Sequence, residues 1–143
     1  MDRIKLSLPK KFAFATEIPV RISDINYGGH VGNDTILSLI HEARFRFLTK
    51  NGYTELDIDG FSLIMVDSVV VYKSEVFYGQ LLKIEVTAGK FSDYGFDFIY
   101  RITNKETGKE AARAKTGMVF FDYEKKRVIE VPEQFKLNFD SKY

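Results

Sequence analysis

One stretch of the sequence, residues 21–34 with the letters RISDINYGGHVGND, concentrates side chains that could do chemistry. It carries a carboxylate at Asp24, an amide at Asn26 and an imidazole at His30, with glycines between and after them. A histidine titrates near neutral pH, a carboxylate can activate water, and glycine lets a ligand approach the backbone closely. The stretch is therefore either an active-site loop or only the turn between two elements.

The elements on either side would present this loop at the start of a long helix. Residues 12–23 alternate apolar and polar side chains, which predicts a half-buried strand, and Pro19 requires part of it to lie at an edge or bulge. Residues 33–50 have helical periodicity, with Asn33 or Asp34 as the capping residue and an Asn-Gly pair as the stop. Because extra leucines widen its apolar stripe, we expect this helix to be buried over most of its circumference.

The sequence after residue 60 predicts an antiparallel sheet. Apolar runs at 61–74, 76–91, 94–103 and 110–122 are separated by turn residues, and a short tail follows the last turn. One strand, one long helix and then several strands predict an α+β fold in which a curled antiparallel sheet wraps a single buried helix. A length of 143 residues predicts one domain spanning 1–143.

Composition narrows the classes of function. The net charge of +1, with both signs interspersed, gives no basic face for nucleic acid. The absence of cysteine excludes a thiol nucleophile and a thiolate metal site, and two histidines argue against a dedicated transition-metal site. No apolar run reaches the length of a membrane span, and residues 1–12 lack a signal-peptide core, so we expect a cytoplasmic protein with no membrane partner.

The motif and the order of elements together resemble the hotdog-fold acyl-CoA thioesterases of the 4-hydroxybenzoyl-CoA thioesterase-like family. The family pattern is Arg, two residues, Asp-x-Asp, three residues, His-Val-x-Asn and then Glu-Ala-Arg on a helix. This chain has Arg21, Asp24-Ile25-Asn26, His30-Val31-Gly32-Asn33 and Glu42-Ala43-Arg44 at those places. The letters VYKSEVFYGQLLKIEV also resemble the family's strand pair around a Tyr and a Gly-Asp turn, with Gln80 in place of the Asp.

The resemblance implies hydrolysis of an acyl-CoA thioester without metal or organic cofactor, by a homodimer or homotetramer that binds substrate between subunits. It implies that a backbone N–H at or near Asn33 polarises the thioester carbonyl, while Gly28, Gly29 and Gly32 let the thioester lie against the backbone. The family's nucleophile or base falls on Asn26, which cannot act as a base but can orient a water or donate to the carbonyl.

The base must then be another residue, and Asp24, His30 and Glu42 are the candidates. We favour Glu42, because apolar neighbours on the helix would bury it and raise its pKa. Each candidate also has a structural interpretation. Asp24 could form an Asx turn, His30 could be a satisfied loop histidine, and Glu42 could pair with Arg46 one turn later.

Three functions are compatible with these residues. The first is a thioesterase for an acyl-CoA or acyl carrier protein substrate. The second is a hotdog enoyl-CoA hydratase, whose motif of Asp-x-Asn, two residues and His is matched here with one residue too many. The third is a catalytically silent acyl-CoA-binding module, since Asn26 replaces the usual Asp. The cations that could meet CoA phosphates are Lys73, Lys90, Arg101, Arg113 and Lys115.

Overall fold

A computed structural model, which describes residues 1–140, shows a curled six-stranded antiparallel sheet around one long helix. In chain order the elements are β1 (Phe14–Pro19), a 3-10 turn (Ile22–Asp24), α1 (Asn33–Lys50), β2 (Ser62–Tyr72), β3 (Leu81–Gly89), β4 (Gly95–Asn104), β5 (Glu110–Asp122), β6 (Arg127–Ile129) and α2 (Glu133–Phe139). The strand order is β1-β3-β4-β5-β2, and β6 pairs with the end of β5. The predicted α+β architecture is confirmed.

The core lies between α1 and the inner face of the sheet. Strand alternation turns Phe96, Phe98 and Tyr100 of β4 inward, where each is at most 3% exposed. The buried side chains of α1 recur at helical spacing and are Ile36, Leu39, Ile40, Ala43, Arg44, Phe47 and Leu48. Helical and strand periodicities therefore meet at one apolar layer.

Two expectations for α1 are wrong. The helix is not buried over most of its circumference, since Leu37 is 39% exposed and Phe45 is 49% exposed. Successive residues of a helix turn by about 100°, which places these two positions outside the buried apolar stripe. The residue at the N-cap is Gly32, neither Asn33 nor Asp34, and no side chain caps the helix. The helix begins there because the extended backbone of Gly32 presents its carbonyl to the Thr35 N–H at 3.0 Å.

A buried cation ties α1 to the sheet. The Arg44 Nε donates to Glu55 Oε1 at 2.8 Å, and its Nη1 donates to the Tyr100 hydroxyl at 3.1 Å. Burial raises the pKa of the Tyr100 phenol, which keeps its proton and lies 2.9 Å from Thr116 Oγ1. Removing one partner of such a buried charge is costly, so this network fixes the position of the helix over β4 and β5.

The sheet edges and the tail differ in detail from the expectation. β1 covers only Phe14–Pro19 and lies at an edge of the sheet, as Pro19 requires. The sequence predicts only a short tail after the last turn, but the chain after residue 126 forms β6 and α2. Phe135 and Phe139 of α2 enter the core, where the Phe135 ring lies 5.0 Å from that of Phe96 and 5.3 Å from that of Phe120. Within residues 1–140, no helix is both long and apolar enough to cross a bilayer.

Replacing Phe135 by alanine tests whether α2 is part of the core. A fully buried phenylalanine leaves a cavity when truncated, so the free energy of unfolding should fall by about 3–5 kcal/mol in urea titrations. Leu137 on the same helix is 60% exposed, so Leu137→Ala should change it by no more than about 0.5 kcal/mol. Equal effects of the two substitutions would contradict the packing of α2 described above.

Candidate functional site

The loop before α1 is a tight hairpin. Ile25 and Val31 pair across it, and the Asn26 N–H donates to the His30 carbonyl at 2.9 Å. Gly29 has φ = 84°, a left-handed conformation that favours glycine, and its N–H donates to the Asn26 carbonyl at 3.1 Å. The Asn26 side-chain oxygen accepts the Gly28 N–H at 2.9 Å, which is an Asx turn. The loop conformation therefore depends on Asn26 and on glycine.

A second loop is joined to this hairpin by backbone pairing. The Val31 N–H donates to the Val76 carbonyl at 2.8 Å, and His30 forms an isolated bridge with Phe77 in the connection between β2 and β3. The His30 ring also meets the Phe77 ring edge-on, at 6.5 Å between centroids. This pairing brings His30 Nε2 to 3.9 Å from the Glu75 carboxylate.

Hydrogen bonding defines the tautomer of His30. Its Nδ1 lies 3.1 Å from the Val31 carbonyl oxygen. Because a carbonyl can only accept, this hydrogen bond requires the proton on Nδ1 and leaves a lone pair on Nε2 of the neutral ring. The gap of 3.9 Å between Nε2 and the Glu75 carboxylate is longer than a direct hydrogen bond and suits a bridging water.

A pocket of about 270 Å³ opens beside this pair and reaches the start of α1. Its walls come from the hairpin, the first turn of α1, the end of β2 and the start of β5. The lining residues are His30, Val31, Asn33, Ile36, Tyr72, Lys73, Ser74, Glu75, Val76 and Ala111. Imidazole, carboxylate and ammonium groups thus share one cavity with apolar walls.

The first N–H groups of α1 supply a donor to this pocket. A helix leaves its first four N–H groups without intrahelical partners. Here the Gly32 N–H donates to the Asp24 carbonyl at 3.3 Å and the Thr35 N–H to the Gly32 carbonyl at 3.0 Å. Among residues 1–140, no acceptor is found for the N–H groups of Asn33 and Asp34. Since Asn33 lines the pocket, its N–H and the positive end of the helix dipole can meet a developing negative charge.

The expectation that Gly28, Gly29 and Gly32 let the thioester lie against the backbone stays a prediction. The N–H groups of Gly28, Gly29 and Gly32 already donate within the loop, so they are not available to a thioester carbonyl. Gly28 has a different use. A side chain there would lie 3.2 Å from the Asn26 amide oxygen and 3.5 Å from His30 Nε2, and would fill the space between them.

Asp24 is held as a structural group. It is buried, and its carboxylate accepts the Arg21 backbone N–H at 2.8 Å and two guanidinium N–H groups of Arg21 at 3.3 Å each. Hydrogen bonding to this carboxylate, with its charge second, raises the pKa of Arg21. Arg21 is therefore the structural partner of Asp24, and Asp24 does not line the pocket of His30.

The burial expected for Glu42 is wrong. Its side chain is 50% exposed and accepts the Arg46 Nε at 2.8 Å, and Arg46 in turn donates to Thr16 and Glu17 of β1. Leu39, Ile40 and Ala43 face the core, and Phe45, which shares the open side of the helix with Glu42, is itself 49% exposed, so these neighbours do not bury Glu42. Glu42 does not line the pocket of His30 either. A catalytic role for Glu42 stays a prediction that burial no longer supports.

Sequence reasoning missed two residues of the pocket. Glu75 faces His30, and the Tyr72 hydroxyl donates to the Asn33 carbonyl at 2.9 Å, which holds the start of α1 against β2. Lys73, one of the cations proposed for CoA phosphates, lines the same pocket. The available signal was a polar KSE triplet at the end of a long apolar strand, but its proximity to His30 depends on tertiary pairing.

Comparison with known proteins addresses the family and the fold of this chain. A family model described as the thioesterase-like superfamily matches residues 20–139. A 1,4-dihydroxy-2-naphthoyl-CoA thioesterase from Synechocystis has a similar structure, with 23% identity, a TM-score of 0.78, and 86% of this chain and 92% of that chain covered. A gentisyl-coenzyme A thioesterase is 18% identical with a TM-score of 0.76 over 88% of this chain and 99% of its own. No curated protein sequence matches. These similarities establish the hotdog fold.

Replacing Asp24 by asparagine separates its structural role from a catalytic one. The loss of charge-assisted hydrogen bonds should lower the free energy of unfolding by about 1–2 kcal/mol. Thiol release from an acyl-CoA per folded molecule should stay within about threefold, whereas loss of a general base costs about 10²–10⁴. Asp122→Asn, which changes another carboxylate that accepts turn N–H groups, is the control. A hundredfold loss confined to Asp24→Asn would make Asp24 the base.

Proposed function

The chain belongs to the thioesterase-like superfamily, and from that premise we propose that it hydrolyses an acyl-CoA, or the same acyl group on an acyl carrier protein, to a free acid and a thiol. One observation carries the proposal. His30, Glu75 and Asn33, whose N–H has no acceptor within residues 1–140, line a single pocket. Since a thiolate leaves readily, a thioester needs little more than an activated water and a polarised carbonyl.

In the proposed reaction the thioester oxygen accepts the Asn33 N–H, and a water between His30 Nε2 and Glu75 attacks the carbonyl carbon. The water passes a proton to Nε2, and the negative charge on the carbonyl oxygen is stabilised by the N-terminus of α1. The tetrahedral intermediate then collapses, the carbon–sulfur bond breaks, and the leaving thiolate takes the proton back from His30. The products are a carboxylic acid and a thiol.

The neighbouring residues have supporting roles in this proposal. The Glu75 carboxylate stabilises the imidazolium that forms on His30 and fixes the second proton of the water. The Asn26 oxygen is occupied by the Gly28 N–H, so its amide N–H₂ is the part that can donate to the thioester or the water. Asn26 therefore contributes as a positioner. Lys73 offers a cation for the substrate's phosphate groups.

The contacts of Asp24 disfavour the hydratase alternative. That mechanism requires an Asp and a His that act together on one water, and Asp24 is buried and fully engaged with Arg21. His30 instead faces Glu75. The silent binding module differs from the thioesterase only in turnover, so an activity assay must separate the two.

A thiol-release assay over short, medium, long and aromatic acyl-CoA substrates tests the proposed function. We expect steady release of free thiol from at least one of them. Loss of enoyl absorbance from a 2-enoyl-CoA without thiol release would instead indicate a hydratase. Binding of acyl-CoA by calorimetry with no turnover of any substrate would indicate the silent module.

Two glutamates form a matched pair for testing the base. His30→Gln should lower kcat by about 10²–10⁴, and Glu75→Gln should lower it by at least about tenfold, because both groups act on the attacking water. Glu42→Gln makes the same chemical change on the outer face of α1 and should leave kcat within about twofold. The opposite result, with Glu42→Gln inactive and Glu75→Gln unimpaired, would return the base to Glu42. Circular dichroism of each variant checks the fold.

We also propose that the working unit is a homodimer, or a homotetramer built from such dimers, formed by pairing of two β2 strands. β2 is eleven residues long, and within residues 1–140 it pairs on one side only, with β5. Its exposed positions include Met65, Val66 and Tyr72, at 41%, 61% and 43%. A long apolar strand at a free sheet edge is a template for pairing with another chain. The opposite edge, β1, has six residues and a proline.

Placing lysines on this edge should dissociate the dimer. Lysine blocks edge-to-edge pairing, so Val66→Lys combined with Ser68→Lys should halve the mass in light scattering, which for a dimer means a change from twice that of the 16.5 kDa chain to that of one chain. Tyr123→Lys combined with Val128→Lys alters exposed apolar residues outside β2 and should leave the mass unchanged. A monomeric unmodified protein would refute the proposal.

A further inference from the structure

Residues 3–12, here called the basic strap, cross the outer face of the sheet. The Leu6 carbonyl accepts the Arg113 Nη1 at 3.0 Å on β5, and the Phe12 ring lies 5.3 Å from the Arg101 guanidinium on β4. Arg101 and Arg113 are directly opposite each other in the sheet. The strap therefore runs across β4 and β5 on the side away from α1.

The strap carries two chemically different kinds of side chain. Its partly buried side chains include Leu6, Leu8 and Phe12, at even positions. Its cations are all exposed, at positions 3, 5, 10 and 11. Leu6, Leu8 and Phe12 are therefore partly covered, whereas the four cations and Ile4, at 66%, are exposed to solvent. The eight residue steps from Arg3 to Lys11 can span up to about 28 Å.

The cations of the strap have no partner within residues 1–140. Neither an ion pair nor a side-chain hydrogen bond is found for Arg3, Lys5, Lys10 or Lys11. The two sheet cations that contact the strap are both paired, Arg101 with Glu85 at 2.8 Å and Arg113 with Glu110 at 3.0 Å. The strap has four cations and no acid, so its net charge is +4. Because the net charge of the whole chain is +1, the rest of the chain has a net charge of −3.

The strap also leads toward the proposed active site. From Phe12 to Leu6 it passes from β4 to β5, and the next strand in that direction is β2. Arg113, which holds Leu6, is paired with Val71 of β2, two residues before Lys73 at the pocket wall. A partner bound along the strap would therefore lie on the side of the molecule where β2 ends at the pocket.

We propose that the basic strap is the docking surface for an acyl carrier protein, an acidic protein that presents the acyl thioester on a phosphopantetheine arm. This inference rests on the proposed thioesterase function and identifies the carrier of its substrate. The CoA phosphates are compact and can be bound by cations at the pocket such as Lys73, whereas exposed cations spread over this length match the surface of an acidic protein. An anionic membrane is disfavoured because Leu6, Leu8 and Phe12 are partly covered, which leaves Ile4 as the one exposed large apolar side chain of the strap that could enter a bilayer.

Charge reversal on the strap tests this docking. The triple variant Arg3→Glu, Lys5→Glu, Lys11→Glu keeps the Leu6 carbonyl and the partly buried apolar side chains, so the strap should stay in place. For octanoyl acyl carrier protein we expect kcat/KM to fall about tenfold or more through KM, because reversed charges slow encounter with an acidic partner. For octanoyl-CoA we expect a change of less than about twofold, since no substituted residue lines the pocket.

Reversal of Lys125, Lys126 and Arg127 to Glu is the matched control. It makes the same change in net charge at exposed residues of the turn after β5 and at the first residue of β6, and should leave both kcat/KM values unchanged. Equal loss in this control, or equal loss for octanoyl-CoA in the strap variant, would overturn the proposal. So would unchanged turnover of the carrier substrate. Strap-dependent binding to phosphatidylglycerol vesicles, with carrier turnover intact, would assign the strap to a membrane.

Failure of the proposed function gives a different result from failure of the docking. If the unmodified protein released thiol from neither octanoyl substrate, the thioesterase proposal would fail for this acyl group. Docking would then be measured by fluorescence anisotropy with labelled, unacylated holo acyl carrier protein. Binding that weakens with salt and is lost in the strap variant supports docking, and no binding by the unmodified protein overturns it.

Discussion

The candidate site depends on one backbone interaction, the pairing of residues 30–31 with residues 76–77. The Val31 N–H donates to the Val76 carbonyl at 2.8 Å, and both valines are buried, so the contact is shielded from water. It joins the loop that starts α1 to the connection that follows β2, although about 45 residues separate them in the chain. Without it, His30 and Glu75 would lie on two independent loops. The proposed chemistry therefore depends on a main-chain hydrogen bond, which many different side chains at these two positions would allow.

Local patterns predicted the elements that are long and periodic, and failed where tertiary contacts decide. The eighteen residues of α1 and the alternation of Phe96, Phe98 and Tyr100 are strong signals, and both are confirmed. The seven residues of α2 are too few for periodicity to stand out, and that helix exists because Phe135 and Phe139 fill the core. Glu75 was missed because no spacing in sequence relates it to His30.

The error at Glu42 has a simple geometric cause. Leu39, Ile40 and Ala43 are close to Glu42 in sequence, but they face the sheet. Residue 42 lies one turn after residue 38 and only about 40° from it around the helix, so both residues are on the open side of the helix. Asp24 shows the converse, since it is buried and yet neutralised by Arg21. Burial and charge pairing thus remove two of the three base candidates from the pocket. The histidine remains there, beside a carboxylate with no cation within hydrogen-bond distance in residues 1–140.

The outer face of the sheet shows why an exposed cation row can be more than a solvated surface. Ile99 is 5% exposed although it lies on the side opposite to the core, so this face is covered, and the strap is in contact with it at Arg101 and Arg113. A segment held by apolar contacts and by a hydrogen bond to its own carbonyl loses little further conformational freedom when a partner binds. Its four exposed cations are thus presented from a segment that is anchored to the sheet at two points, and charge positioned in this way selects a partner by complementarity at a smaller entropic cost than an unanchored tail would incur.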